Sequence, residues 1–476
     1  QSIRNALDAQ ALFDTAEGAM QETERLLQRI RELAVQAAND TNSANDRAAL
    51  DAEKTQLLAE IDRIASNTTW AGQNLLDGTF TNKSFNVGGG TTAMDSLSSS
   101  IASITSQNLV NLSETDEIII AWENWNASDS NDIYFQRLKP DGSRINNAVL
   151  ASPEISTKKT NPSILALSNG NTIVAWGGGN VDNPVTPINA QMFDGQGRKI
   201  GNQFSIGSAQ HYNQKSPVLE QLTNGSIVAV WRENGTDGHS DGVFGQLMTE
   251  NGTLIGSAFQ VNSYSNKDQS LPSISALNDG GFIVAWESED DNNAAGGYGI
   301  YAQKFDVNGA RVGSEIQVSS NTNKFEMQPK ITTLSNGNVV VTWQVSNDGS
   351  NHDIYARIFN SNGTPQNLEF IVNTLTANNE REPSITFLKG GGFVVSWEGS
   401  NHSDIRAQIF DNNGNRIGAE KVLTDNYLDY ASELIALNDG GFFLAYEVPT
   451  NDGDIMGMTF DSIGNEVSSK QVIHAD

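Results

Sequence analysis

The chain of 476 residues contains no cysteine. This absence excludes disulfide bonds, thiolate metal sites and a cysteine nucleophile, although it does not assign a cellular compartment. The sequence also lacks an apolar run long enough to span a membrane, and it shows no signal peptide. Because the chain begins at Gln1 and not at Met, we expect a processed product or a cut piece of a longer protein.

Basic residues are scarce as well. The chain has 29 Lys and Arg against 57 Asp and Glu, which gives a formal net charge of −28. Residues 1–105 contribute −6 of this charge (14 acids, 8 bases), and residues 106–476 contribute −22 (43 acids, 21 bases). Such a surface repels phosphate groups, so nucleic acid and anionic membranes are excluded as partners.

Motifs of catalysis are missing too. The five histidines do not show the H-E-x-x-H spacing of a metalloprotease, and neither a G-x-S-x-G elbow nor a phosphate-binding loop occurs. A glycosidase with paired carboxylates remains a remote alternative, because Asp and Glu are abundant enough to pair by chance. The chain is therefore predicted not to be an enzyme.

Residues 1–105 follow a helical period. Apolar residues recur at spacings of three and four through residues 20–37 and again through residues 57–64, with the polar stretch "TNSAND" between them. This pattern predicts an antiparallel α-helical hairpin. The turn signals Ala-Gly and Asp-Gly in residues 67–90 predict a wrapped segment or a small β-hairpin after the helices.

From residue 106 the sequence repeats. Seven units each end a β-branched run with an aromatic residue, at spacings of 49–57 residues: Trp122, Trp176, Trp231, Trp286, Trp343, Trp397 and Tyr446. A second landmark, a turn of the Asn-Gly or Asp-Gly kind, recurs with them at Gly142, Gly197, Gly252, Gly309, Gly363, Gly414 and Gly464.

Each unit offers four short strands, as in "SISAL", "GFIVAWE", "YGIYAQKF" and "RVGSEIQV". Four-stranded units at this period are typical of a β-propeller. We therefore predict an α + β multidomain chain, in which an antiparallel helical hairpin is followed by a seven-bladed β-propeller over residues 106–476. The landmark aromatic residues are expected to pack between neighbouring blades.

The helical part resembles a known family. The segments "LLQRIRELAVQAANDTNS", "LAEIDRIASNTTWAGQNLLDGTF" and "FNVGG" are similar, in the same order and spacing, to the N-terminal filament core of bacterial flagellins. The similarity covers about residues 1–90. This chain has "DAQA" at residues 8–11, where the family has Asp-Gly-Ile-Ser, and it ends in a predicted blade strand and not in the C-terminal helices of the family. We therefore expect a truncated flagellin carrying the propeller as its variable-region insert.

The resemblance implies a structural function. Flagellins assemble with other flagellin subunits in an extracellular filament, so a secreted protein of the bacterial flagellum, acting in motility, is expected. A patch for subunit packing and for the flagellin-sensing Toll-like receptor would fall on Leu27, Gln28, Arg29, Leu33 and Glu53. An Arg beside an exposed Leu suits an interface anchor, although the same residues also fit an ordinary solvated helix face.

In the propeller, four glutamates directly follow a landmark aromatic residue: Glu123, Glu287, Glu398 and Glu447. If these residues lie in loops, the loops gather on one face around the channel mouth, where a glycan ligand could bind. No cofactor or metal is predicted, and calcium is the one ion that this face could attract. The alternative interpretation is a solvated acidic rim. The alternative function is accordingly a flagellin-like surface adhesin or carbohydrate-binding protein that acts through the propeller.

Overall fold

A computed structural model describes most of the chain. The described residues are 2–37, 44–76, 80, 83–86, 96–99, 117–124, 131–152, 158–178, 187–207, 212–235, 240–265, 267–289, 297–320, 324–346, 351–376, 379–399, 404–424, 429–448 and 454–474. They form two compact units, residues 1–116 and 117–476. The predicted domain boundary at residues 105 and 106 lies outside the described residues.

The first unit contains the two predicted helices. Helix α1 spans Ser2–Ala37 and helix α2 spans Ala44–Asn67, followed by the short strands β1 (Thr69–Trp70), β2 (Gln73–Asn74), β3 (Lys83–Asn86) and β4 (Ser96–Ser99). Among the described residues, no helix is both long and apolar enough to cross a bilayer.

Strands β1 and β2 form a two-residue hairpin around Ala71 and Gly72, which have φ angles of 49° and 80°. Two positive φ angles define the turn that suits the twist of a hairpin, and the Ala-Gly signal in the sequence marked this position. The chain beyond α2 then returns to the start of α1. There a small core forms from Leu12, Ala16, Leu75, Leu76 and Phe80.

The second unit is the β-propeller. The first repeat contributes three described strands, β5 (Ile118–Asn124), β6 (Asp132–Leu138) and β7 (Arg144–Leu150). The second repeat forms a sheet of β8 (Lys159–Ala166), β9 (Thr172–Gly178), β10 (Asn189–Phe193) and β11 (Lys199–Ser205). The third repeat forms a sheet of β12 (Tyr212–Gln221), β13 (Ile227–Asn234), β14 (Asp241–Met248) and β15 (Leu254–Gln260).

The remaining repeats follow the same order. The fourth repeat contains β16 (Gln269–Ala276), β17 (Phe282–Glu289), β18 (Tyr298–Phe305) and β19 (Arg311–Gln317). The fifth contains β20 (Phe325–Thr333), β21 (Val339–Ser346), β22 (His352–Phe359) and β23 (Phe370–Ile371). The sixth contains β24 (Arg381–Phe387), β25 (Phe393–Glu398), β26 (Ile405–Phe410) and β27 (Arg416–Val422). The seventh contains β28 (Tyr430–Ala436), β29 (Phe442–Val448), β30 (Asp454–Phe460) and β31 (Glu466–His474).

The predicted number of blades is wrong. The described residues form five blades of four or more strands, not seven: four sheets of four strands and one of eight. The eight-stranded sheet joins the fourth and fifth repeats, because β18 and β20 pair in parallel at Tyr298 and Phe325. The first repeat falls short of a blade because the segment that would supply its first strand lies outside the described residues.

The landmark aromatic residues fill the spaces between repeats, as predicted. Trp231 lies at 0% exposure in a core that combines second-repeat and third-repeat residues, among them Ile173 and Ile227. The same arrangement closes the ring, since Trp122 of the first repeat shares a core with Phe443 and Ile473 of the seventh. Arg144 also donates a hydrogen bond of 3.1 Å to the carbonyl of Val472 across this closure.

The outer strand of most repeats carries a bulge that a glutamine holds in place. Gln303 on β18 donates from Nε2 to the carbonyls of Lys304, Val312 and Gly313, at 2.8, 3.2 and 3.4 Å. Gly313 has a φ of 74°, and the pairing of β18 with β19 shifts register here. Equivalent glutamines act in other repeats: Gln136, Gln191, Gln246 and Gln408.

The packing of the tryptophans between repeats predicts a large effect of truncation. Replacing Trp286 (1% exposed) by Ala should lower the free energy of unfolding by about 3–5 kcal/mol, because the cavity cannot be refilled by neighbours on both sides. Urea unfolding followed by circular dichroism measures this loss. The control is Val467→Ala, at a side chain that is 63% exposed, with an expected change within about 0.5 kcal/mol. A loss below about 1 kcal/mol for Trp286→Ala would contradict the packing described.

Candidate functional site

The predicted patch on the helical hairpin is only partly a surface. Leu27, Gln28 and Arg29 are exposed on α1, with Leu27 at 37%. Leu33 is at 2% exposure, so it stabilises the hairpin from inside and does not contribute to its surface.

Arg29 and Glu53 join the two helices. The Arg29 guanidinium donates from Nε and Nη2 to Oε1 of Glu53, at 3.0 and 2.8 Å. Both side chains remain nearly half exposed, at 46% and 44%. An ion pair this exposed contributes less than about 1 kcal/mol to folding, so its main effect is to hold the guanidinium in one position on the surface.

In the propeller, the glutamates after the landmark aromatic residues lie in second strands and not in loops. Glu123 lies in β5, Glu287 in β17, Glu398 at the end of β25 and Glu447 in β29. Glu287 and Glu398 are buried, at 8% and 2% exposure. This differs from the predicted loop position because the second strand does not end at the aromatic residue. It extends through the glutamate, which still pairs with the third strand.

Three of these glutamates contact the next repeat along the chain. In each case a carboxylate oxygen accepts a backbone N–H from the first strand of the next repeat. The donor is the residue just before the recurring Pro of that strand, or before the Ser that replaces this Pro in the seventh repeat. Glu123 accepts from Asn161 at 2.6 Å, Glu287 from Gln328 at 3.0 Å, and Glu398 from Ala431 at 2.9 Å. For Glu447 the next repeat around the ring is the first, whose first strand lies outside the described residues.

The N–H groups that are bound belong to strained residues. In six repeats the residue at this point has a φ of 48–55°, although it is not glycine: Asn161, Ser216, Leu271, Gln328, Glu382 and Ala431. The pairing of first and second strands shifts register there, which is the mark of a β-bulge. A left-handed backbone at a non-glycine residue costs free energy, so a carboxylate that fixes its N–H offsets part of that cost.

Sequence reasoning missed this bulge, although a signal was present. Proline recurs at one position of the first strand in five repeats: Pro162, Pro217, Pro272, Pro329 and Pro383. Proline cannot donate to a ladder and restricts the residue before it, so its recurrence inside a strand marks a bulge.

The bulges line the channel of the propeller. A cavity of about 790 Å³ is bounded by the first strands of six repeats, with Ser163, Val218, Ser273, Lys330, Ser384 and Glu433 at equivalent positions. Lys330 forms an ion pair with Glu433 that passes over the intervening sixth repeat. Ser384 of that repeat donates to Glu433 at 2.9 Å, so the three polar groups form one connected wall.

A second cavity of about 370 Å³ shares Glu220 with the first. Oε1 of Glu220 accepts the N–H of Ala276 at 3.0 Å, while burial raises the pKa of Glu220 to about 7. Among the side chains that the structure describes, no three His, Asp or Glu residues come together in a group that could hold a metal ion. Calcium binding at the acidic face stays a prediction.

Comparison with known proteins identifies similarity at the N-terminus. Residues 1–81 match the family model of the bacterial flagellin N-terminal helical region. Over 87 residues the chain is 51% identical to Flagellin A of Vibrio anguillarum and to Flagellin E of Vibrio cholerae. The alignments cover 18% of this chain and 23% of each relative, so the chain spans about a quarter of the length of the curated relatives that it matches.

Solved structures resemble the rest of the chain only distantly. A protein of unknown function from Dyadobacter fermentans has a TM-score of 0.48 at 14% identity, covering 65% of this chain and 96% of that one. The polysaccharide lyase Uly1 has a TM-score of 0.47 at 7% identity, covering 82% and 92%. An α-L-arabinanase of Penicillium chrysogenum has a TM-score of 0.45 at 15% identity, covering 64% and 93%. No functional argument follows from similarity at this level.

The contact between Glu398 and the N–H of Ala431 can be tested with two substitutions. Glu398→Ala should lower the free energy of unfolding by about 1–3 kcal/mol, because it removes the carboxylate, 2% exposed, that accepts the N–H of Ala431. Glu398→Gln should cost clearly less, since Gln344 accepts the N–H of Glu382 at 3.0 Å at the equivalent position of the fifth repeat. Equal losses for the two variants in urea unfolding would show that the acceptor oxygen is not what matters.

Proposed function

We propose that this chain is a flagellin-type structural subunit of the bacterial flagellar filament, secreted to the cell exterior, with the propeller displayed on the outer surface. The observation that carries the proposal is the match of residues 1–81 to the flagellin N-terminal helical region. The partners of the helical part are then other flagellin subunits, and its function is assembly and not catalysis.

The geometry of the hairpin supports this assignment. Its two helices are joined by the contact between Arg29 and Glu53. The segment after α2 packs onto α1 in a small core around Leu12 and Leu76. Large apolar residues nevertheless remain on the surface of α1, with Met20 at 40% and Leu27 at 37% exposure. Exposed apolar side chains beside a fixed guanidinium form a suitable surface for a neighbouring subunit.

The propeller suits display on an outer surface. Its ring closes on itself through the core shared by the first and seventh repeats, so it forms a compact unit of its own. Residues 106–476 carry a charge of −22 (21 bases, 43 acids), which keeps crowded copies apart in solution.

A second candidate function follows from the channel. The wall formed by Lys330, Ser384 and Glu433 presents donors and acceptors to a cavity of about 790 Å³, a size that accommodates a small polar ligand. In this alternative the chain is a flagellin-like surface adhesin or carbohydrate-binding protein. Glu123, Glu287, Glu398 and Glu447 stay proposed members of a ligand-binding face.

Immunogold electron microscopy of the source bacterium tests the main proposal. Antibodies raised against the propeller should label flagellar filaments along their length, because each subunit would display one copy. Serum absorbed with purified protein is the control. Label confined to the cell body, on cells whose flagella are intact, would favour the surface-adhesin alternative.

The predicted recognition patch can be tested separately. We expect Arg29→Ala to weaken activation of reporter cells that express the flagellin-sensing Toll-like receptor by about tenfold or more, because an anchoring guanidinium is lost. Arg25→Ala is the matched control, since Arg25 is an exposed arginine on the same helix that pairs with Glu22 at 2.6 Å. Equal activation by the two variants would contradict the patch, and circular dichroism would confirm that both remain helical.

A further inference from the structure

One polar position recurs, fully buried, at the start of the innermost strand. This position lies three residues before the Pro that marks the bulge; in the seventh repeat a Ser replaces this Pro. It is at most 3% exposed in six repeats, at Lys159, Gln214, Gln269, Glu326, Glu380 and Asp429. A polar group so deeply buried needs a partner, because its desolvation is otherwise uncompensated.

In the second, third and fourth repeats the partners are in place. Lys159 pairs with Asp132 of the preceding repeat at 2.7 Å. Gln214 accepts the N–H of Ile188 at 2.9 Å, and its Nε2 donates to Glu233 at 2.8 Å. Gln269 likewise accepts from Asn262 at 2.8 Å. These repeats use a paired cation or a neutral amide at this position.

The fifth, sixth and seventh repeats differ, because each places an acid there: Glu326, Glu380 and Asp429. Glu380 is at 0% exposure, and neither of its carboxyl oxygens has a hydrogen-bond partner among the described residues. Arg406, whose charge acts on Glu380, already donates to Asp404 and Glu420 at 2.9 Å. A charged Glu380 would therefore be desolvated without a hydrogen bond of its own.

The charges around Glu380 add to this effect. Burial raises the pKa of Glu380 to about 7, Arg406 opposes that rise, and the carboxylates of Asp353, Glu420 and Asp404 reinforce it. Two further groups contact Asn379, the residue that precedes Glu380. Arg381 donates to Asn379 Oδ1 at 2.9 Å, and the buried His352 contacts the same oxygen through Nδ1 at 2.9 Å.

Glu326 occupies the same position in the fifth repeat. It is 1% exposed, and its Oε2 lacks a hydrogen-bond partner within the described part of the chain. Burial raises its pKa to about 8, with Glu369 adding to the rise while Ser319 and Lys324 oppose it. Lys324 itself lies over the ring of Tyr355, 5.4 Å from its centroid, so it is shared between the two groups.

We propose that Glu326, which interacts with Ser319 of the fourth repeat, and Glu380, whose N–H binds the carbonyl of His352 in the fifth, form a proton-dependent clasp on the two sides of the fifth repeat. This arc of the ring is most stable while both buried carboxyls are neutral, and it loosens when they ionise. The neutral carboxyl replaces the amide that Gln214 and Gln269 provide elsewhere. A carboxyl is the only one of these groups that can lose a proton near neutral pH. The ring would thus have one arc that responds to external pH.

The direction of the effect follows from linkage. In the open state the pKa of each acid is near 4.5, and in the closed state it is higher. Between these two pKa values the closed state holds its proton while the open state has lost it. Stability is then fully present below about pH 4.5 and falls as the pH rises, until about pH 7 for Glu380 and about pH 8 for Glu326. Above those values the loss is complete and levels off.

Hydrogen exchange followed by mass spectrometry tests the clasp on the whole chain. After correction for the intrinsic rate, protection in β24 should fall by up to about tenfold per pH unit between pH 5 and 7 and then level off. Protection in β20 should continue to fall to about pH 8. Strands β8 and β9 of the second repeat, where Lys159 is paired, are the internal reference.

The variants Glu326→Gln and Glu380→Gln should each flatten the pH dependence of their own strand. Glu380→Met, an uncharged side chain of similar length, serves if the amide fails to fold, and Glu466→Gln is the control at an exposed carboxylate. If protection in β20 and β24 falls with pH as steeply in the Gln or Met variants as in the unmodified chain, the proposal is overturned. It is equally overturned if the unmodified chain shows the same pH dependence in β8 as in β24.

Discussion

The propeller depends on hydrogen bonds that one repeat makes to the backbone of the next. In the six repeats whose innermost strand is described, this strand bends at a bulge with a residue of positive φ. The N–H at the bulge does not take part in the ladder, so any protein acceptor for it comes from outside the sheet. Glu123, Glu287, Gln344 and Glu398 supply that acceptor to four of the described repeats, so each of these four is tied to its predecessor by a side chain of that predecessor.

The features that could be predicted from the sequence are those that leave a regular hydrophobic period. The helical spacing in residues 20–37 and 57–64 predicted two helices, and the recurring aromatic residues predicted the cores between repeats. Both are confirmed because apolar burial leaves a periodic pattern in the sequence. The flagellin resemblance of the N-terminal region was read from motifs, and the family match over residues 1–81 confirms it at that level.

What sequence reasoning missed depends on single hydrogen bonds. The contact between Tyr298 and Phe325 merges two repeats into one sheet, and no periodic pattern announces one pair of residues. The sequence pattern predicts loops for the glutamates that follow the landmark aromatic residues. Glu287 and Glu398 are instead buried, and each accepts the strained N–H of the following repeat. Leu33 was assigned to a surface that it does not reach.

The outer strands have a consequence for the behaviour of many copies at once. An open strand edge is a template on which a second chain can add its own strand, and the risk grows with local concentration. Here the bulge at Gly313 and its equivalents bends the outer strand, and a bent strand offers a poorer edge for pairing. In any array of closely packed copies, these bent outer strands would therefore resist pairing with one another into a continuous cross-β sheet.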